Sequence, residues 1–106
     1  MTITHVYPIY FVYIFSNETH DFLEIGTTGD ITGRMNELRL AGSIGHPEAG
    51  LYLVYHEGFE QVQDAIKREA TIRKMSQRKK AALVTHRNPN WKAISLSESN
   101  RIIAGL

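Results

Sequence analysis

In this 106-residue sequence, the residue type and the neighbours of Glu69 suit the binding of a metal ion. Glu69 lies on the apolar stripe of a predicted helix, between Ile66 and Ile72. An ionised carboxylate buried alone there is unfavourable, so it needs a partner. We expect either a pairing with a neighbouring arginine or tyrosine hydroxyl, or a role as ligand of a divalent cation, since hard cations prefer carboxylate oxygen.

Arg34 and Tyr13 have the types needed for phosphate and proton chemistry. Arg34 follows Ile31 by one turn, at the border of the apolar face of another predicted helix. Its guanidinium either offers a planar fork to a phosphate oxygen or lies at the surface with its stem on the core. Tyr13 shares a predicted strand face with Phe11, where it either packs or takes part in proton transfer near a metal-bound water.

Other chemistries lack the residues that they require. The sequence has no cysteine, which excludes disulfides, thiolate zinc sites and cysteine nucleophiles. Its five histidines are scattered without an i, i+4 pair, so we expect no zinc site. The small residues 26–30, ahead of a predicted helix, are a weak indication of a phosphate cradle.

Charge is distributed unevenly along the chain, although the formal net charge is only +1. Residues 1–33 hold four acidic and no basic residues, whereas residues 59–106 hold ten basic and four acidic residues. The basic part either attracts nucleic-acid phosphates or is simply the solvated surface of two helices. The candidate nucleic-acid contacts are Arg73, Lys74, Arg78, Lys79 and Lys80.

Hydrophobic patterning predicts the order strand, strand, helix, strand, helix, helix. The strands are expected at residues 10–15, 22–26 and 51–55, the helices at 31–40, 59–75 and 76–85, and a loop at 41–50. Alternation places Glu24 and Gly26 on one face of the second strand and Ile25 on the other. Asp30 is the expected N-cap of the first helix and Gly42 its expected C-terminal stop.

Length and hydropathy favour one domain spanning residues 1–106, with a core at about residues 10–95. The longest apolar run is about ten residues and contains a proline, whereas a membrane helix needs about 20. No basic segment precedes that run, so it is not expected to be a secretory signal. We therefore expect a cytoplasmic protein with no membrane contact.

The ordered set of these segments resembles the GIY-YIG endonuclease superfamily, in particular its small single-domain bacterial members. The segments that carry the resemblance are residues 10–15, 23–34, 53–57, 65–69 and 88–91. The resemblance implies an α+β fold in which helices flank a three-stranded antiparallel sheet. It also implies DNA phosphodiester hydrolysis with one Mg²⁺ or Mn²⁺ held by Glu69, a phosphate steadied by Arg34, and water activated with the help of Tyr13.

Two positions depart from the pattern of that superfamily. Glu24 replaces the tyrosine of the second motif, and Leu38 replaces the histidine that commonly follows the arginine by one turn. One hypothesis is an endonuclease in which Glu24 is a second metal ligand or a proton acceptor. The second is a catalytically inactive module that binds nucleic acid or protein, and the third is a module with no nucleic-acid role.

Overall fold

The computed structural model describes residues 9–43 and 50–95, and the elements follow the predicted order. The strands are β1 (Tyr10–Ser16), β2 (Leu23–Thr28) and β3 (Tyr52–Phe59), and the helices are α1 (Ile31–Ser43), α2 (Val62–Arg73) and α3 (Gln77–Arg87). The strands form an antiparallel sheet in the order β2-β1-β3, so β1 is central and β2 and β3 are edges. The prediction of an α+β fold with a three-stranded antiparallel sheet is confirmed.

Helices cover both faces of the sheet because strand residues alternate in direction. On one face, here called the α1 face, Ile31 and Leu38 of α1 pack against three sheet residues: Tyr13, Phe15 and Leu53. The other face, here called the α2–α3 face, packs strand residues against Ala65, Ile72 and Val84; the strand residues include Val12, Ile14 and Ile25. Each face therefore has its own apolar core, and each positions different polar side chains.

A bulge in β3 decides which of its residues turn to each face. Ile14 pairs with Tyr55, but Phe15 pairs with Leu53, so Val54 is an extra residue in the ladder. Val54 and Tyr55 consequently both pack on the α2–α3 face. Simple alternation could not predict this inserted residue.

Helix α1 begins as predicted but ends later than predicted. The Oδ1 atom of Asp30 accepts a hydrogen bond from the backbone nitrogen of Gly33 at 2.9 Å, which confirms Asp30 as the cap. The prediction that Gly42 stops the helix is wrong, because α1 continues to Ser43. A glycine inside a helix costs only about 0.5–1 kcal/mol, which the helix tolerates. The rest of the predicted loop, residues 44–49, and the chain from residue 96 lie outside the described residues.

The apolar stripe of α2 is rotated relative to the prediction. Ala65 and Ile72 are its buried residues, whereas Ile66, which the pattern placed on the buried stripe, is 55% exposed. A small alanine toward the sheet lets the helix backbone approach closely.

Within the described residues, no helix is both long and apolar enough to cross a bilayer.

The segment after α3 folds back onto the molecule. The Trp91 side chain packs against the core on the α2–α3 face. Its indole stacks on the His20 imidazole of the β1–β2 loop, with the ring centroids 4.2 Å apart. This contact ties the loop between the first two strands to the chain beyond α3.

Candidate active site

The α1 face brings Arg34 and Tyr13 into direct contact. Arg34 Nε donates a hydrogen bond to the Tyr13 hydroxyl oxygen at 3.3 Å. Its guanidinium carbon lies 5.7 Å from the ring centroid of Phe15, and the Arg34 side chain is 17% exposed. Arg34 belongs to the first turn of α1, which Asp30 caps. The cap and the two aromatic rings therefore fix the direction of the guanidinium.

Gly26 makes room for the Tyr13 phenol. Tyr13 and Gly26 are paired across β1 and β2. A Cβ atom on Gly26 would lie 2.5 Å from Tyr13 Cζ and closer still to the hydroxyl oxygen. Only a glycine therefore allows the phenol to lie over β2 and reach Arg34.

Glu24 forms an ion pair with Arg34 on the same face. Glu24 Oε2 accepts a hydrogen bond from Arg34 Nη2, and the Glu24 side chain is 22% exposed. Glu37 also accepts from Arg34 Nη1 at 3.1 Å, but its side chain is 68% exposed. A phosphate that approaches Arg34 must therefore compete with the carboxylate of Glu24.

Glu69 is held through both of its carboxylate oxygens. The Thr27 hydroxyl donates to Oε1 at 2.6 Å, and Arg73 Nε donates to Oε2 at 2.6 Å. Arg73 Nη2 also donates to the backbone oxygen of Ile25 on β2. Burial raises the pKa of Glu69, but the hydrogen bonds from Thr27 and Arg73 and the charge of Arg73 outweigh it, so the pKa lies below its ordinary value. Glu69 is therefore ionised at neutral pH.

Strand β2 separates Glu69 from the cluster of Tyr13, Arg34 and Glu24. Thr27 alternates with Gly26, so its side chain points to the α2–α3 face while Glu24 and Gly26 face α1. The structure thus brings three of the predicted site residues into contact and places Glu69 against the other side of the same strand. Because β2 is an edge strand, both sides border one outer edge of the sheet.

The surroundings of Glu69 fit a divalent cation only if the substrate completes the site. Among the residues that the structure describes, no three histidine, aspartate or glutamate side chains cluster as metal ligands. Mg²⁺ commonly uses one or two carboxylates and takes its other ligands from water and substrate phosphates. Each carboxylate oxygen of Glu69 keeps acceptor capacity beyond its present hydrogen bond, so the donor chemistry of this residue fits such a site.

The predicted nucleic-acid contacts lie on α3 and at the end of α2. Arg73 is engaged with Glu69, whereas Lys74, Arg78 and Lys79 are exposed and Lys80 is half-buried. Both helices cover the α2–α3 face, so these side chains and Arg34 lie on opposite sides of the sheet. A nucleic acid that contacts both must pass an edge of the sheet.

Sequence reasoning missed two residues next to the candidate site. Extending the alternation of Ile25 by two positions predicts the face on which Thr27 lies, although not its contact with Glu69. His56 pairs with Tyr13 across β1 and β3, and both face α1. Burial, assisted by the charge of Arg87, lowers the pKa of His56. No sequence signal marks His56, because the bulge at Val54 sets its direction.

The model of the T5orf172 domain matches residues 10–104 of the chain. The chain belongs to the T5orf172 domain family. This is a nuclease-like family found in phage and bacterial proteins and is related to GIY-YIG and homing endonuclease-type folds. Membership in this family supports a nuclease-like or nucleic-acid-binding role. No curated protein and no solved structure matches the chain.

Proposed function

We propose that this T5orf172 domain is a metal-dependent DNA endonuclease that hydrolyses phosphodiester bonds slowly. The observation that carries the proposal is the contact between Arg34 and Tyr13 beside β2, with the ionised carboxylate of Glu69 on the other side of that strand. A scissile phosphate at the outer edge of β2 would have Arg34 on one side and Glu69 on the other.

Arg34 would bind the phosphate in this proposal. A guanidinium offers paired N–H donors to two oxygens, and it is worth most where charge grows in the transition state. The rings of Phe15 and Tyr13 and the helix cap keep the Arg34 side chain in place before substrate arrives. Pre-organisation of this kind removes the cost of ordering a long side chain during the reaction.

Tyr13 and Glu24 would handle the proton. Water bonds to phosphorus as the bond from phosphorus to the leaving sugar oxygen breaks, so one proton leaves the water and one reaches the sugar oxygen. The Tyr13 hydroxyl accepts from Arg34, so its own proton would remain available for donation to the leaving sugar oxygen. Glu24 is a carboxylate within the same cluster and is the proposed proton acceptor.

Glu69 would hold Mg²⁺ or Mn²⁺ in this scheme. Such a cation supplies Lewis-acid stabilisation of charge on the phosphate. Thr27 orients the carboxylate from the sheet, and Arg73 covers its other oxygen. The charge of Arg73 competes with a cation, which is one reason to expect slow turnover.

Plasmid cleavage tests this proposal. Supercoiled and branched DNA would be incubated with the protein in Mg²⁺ or Mn²⁺, with Glu69→Gln compared against Glu57→Gln. Glu57 is a matched control, because it pairs with Arg68 at 2.8 Å and its side chain is 27% exposed, against 22% for Glu69. We expect a loss of about 10²–10⁴ in rate for Glu69→Gln alone. Cleavage that survives Glu69→Gln, or no cleavage by the wild type, overturns the proposal.

A second candidate function is a nucleic-acid-binding module without catalysis. The ion pair between Glu24 and Arg34 favours it, because it occupies the guanidinium that a phosphate would need. The exposed basic side chains of α3 supply a binding surface on the other face. Salt-sensitive DNA binding with no metal-dependent cleavage would select this candidate.

A further inference from the structure

We infer that Thr27 is a positioning residue that holds Glu69 ready for a divalent cation; this inference rests on the proposed function. Glu69 has a long side chain, and only a donor that is itself fixed can set the direction of its carboxylate. The Thr27 hydroxyl lies 2.6 Å from Glu69 Oε1, across 42 positions of sequence. No segment near either residue in the sequence reveals this contact.

Thr27 is fixed more firmly than the residue that it orients. It is paired with Val12 of the central strand β1, and Val12 is fully buried. Its β-branched side chain has restricted χ1 freedom, so the hydroxyl direction is set by the sheet. On the other side of the contact, the buried residues Ala65 and Ile72 seat α2 against the same face. The distance between Thr27 and Glu69 is therefore determined by packing.

The two partners of Glu69 have opposite consequences for a bound cation. The hydroxyl of Thr27 is neutral, and Oε1 can accept its hydrogen bond and still offer a lone pair to a cation. Arg73 is a cation beside Oε2, and its side chain is 55% exposed. Thr27 would therefore raise the affinity of Glu69 for a metal by orienting the carboxylate, whereas the positive charge of Arg73 would lower that affinity. The structure predicts effects of opposite sign for the two residues.

Mn²⁺ binding by the full chain tests the inference, measured by titration calorimetry at neutral pH with saturating phosphorothioate DNA that resists cleavage, and with the heat of a DNA-only titration subtracted. Thr27→Val keeps the shape and removes the hydroxyl, and we expect a loss of affinity of about 10- to 100-fold. Thr27→Ser keeps a hydroxyl and should restore most of that affinity. Arg73→Gln should bind Mn²⁺ more tightly than the wild type.

Thr71→Val is the matched control. The Thr71 hydroxyl donates to the backbone oxygen of Lys67 at 3.0 Å, on the same helix as Glu69. Its removal should leave Mn²⁺ affinity unchanged, and circular dichroism of each variant checks that the fold is kept. Thr27→Val with wild-type affinity, or Thr27→Ser with the affinity of Thr27→Val, overturns the inference.

The outcome separates this inference from the proposed function. If the wild type cleaves DNA and Thr27→Val binds Mn²⁺ normally, the positioning role alone fails. If Mn²⁺ binds with the expected ranking of variants but no DNA is cleaved, the positioning role stands and the nuclease proposal fails. If the wild type binds no Mn²⁺, both are overturned.

Discussion

Glu24 is the residue at which this chain differs most from the chemistry that its sequence resembles. A tyrosine there would leave Arg34 available to phosphate, whereas the carboxylate forms an ion pair with it. Water screens this half-buried pair less than an exposed pair, and separating the two residues leaves two partly desolvated charges without their partner. The residue that makes the site unusual is therefore also the one that limits its affinity for substrate.

Glu24→Gln should tighten DNA binding several-fold, because it removes the charge that competes for Arg34. If Glu24 accepts the proton, the same variant should also cleave more slowly under saturating DNA. Fluorescence anisotropy with labelled DNA and single-turnover cleavage measure the two effects separately. Glu37→Gln is the control, since its exposed pair with Arg34 is worth little. Weaker binding by Glu24→Gln would contradict this account of Arg34.

His56 should make the folded state sensitive to mildly acidic pH. Burial, followed by the charge of Arg87, lowers its pKa below the ordinary value of 6.5. Its contribution to stability is therefore complete above pH 6.5 and is lost as the pH falls below that value toward the lower pKa of the folded state. Urea unfolding should show wild-type stability declining as the pH falls below 6.5, and His56→Gln should flatten that decline. An identical decline in the variant would show that His56 does not cause it.

The edge strand β2 is the element on which the candidate site depends. Its α1 face presents Glu24 and Gly26, and its α2–α3 face presents Thr27 to Glu69. The sequence predicted the alternation along this strand, the cap of α1 and the order of the elements. The position of Glu69 relative to β2 could not be predicted from the sequence, because it depends on the strand order and on which face of the sheet α2 covers. Both are long-range properties of the fold.

Gly26→Ala should break the contact between Tyr13 and Arg34. The added Cβ would lie 2.5 Å from Tyr13 Cζ, and the buried ring has little space in which to withdraw. We expect a loss of about 1–3 kcal/mol in the free energy of unfolding and a large loss of cleavage. Urea unfolding and plasmid cleavage measure the two losses.

Gly29→Ala is the control for that change. A Cβ on Gly29 would meet nothing closer than 3.7 Å, at a ring carbon of Tyr10. This variant should keep both stability and cleavage. Equal behaviour of the two alanine variants would show that the space over Gly26 is unimportant.

The whole molecule has a basic side and a side where acidic residues surround Arg34. The uneven charge was visible in the sequence, but only the fold shows that α3 and Arg34 lie on opposite faces of the sheet. The apolar pattern predicted the strands and helices whose residues form the two cores. It misplaced Ile66 because a helix that packs through a small alanine is rotated relative to its largest apolar residues.

DNA binding should depend on the basic side. Reversing the charge at Lys79 and Lys80 should weaken binding and reduce the slope of log affinity against log salt by roughly two. Lys79→Glu alone is matched by Lys92→Glu, an exposed lysine beyond α3, which should have a smaller effect. Fluorescence anisotropy at several salt concentrations gives both quantities. Equal effects of the two single reversals would mean that only net charge matters.

The central claim is that Arg34 and Glu69, on either side of β2, act on one phosphate. Single-turnover cleavage by the wild type, Arg34→Gln, Glu69→Gln and the double variant tests it most directly, because residues that act as a unit give non-additive losses. We predict that each single variant loses about 10²–10⁴ in rate and that the double variant is no slower than the slower single one. Losses that multiply in the double variant, or a wild type that does not cleave, would contradict the claim.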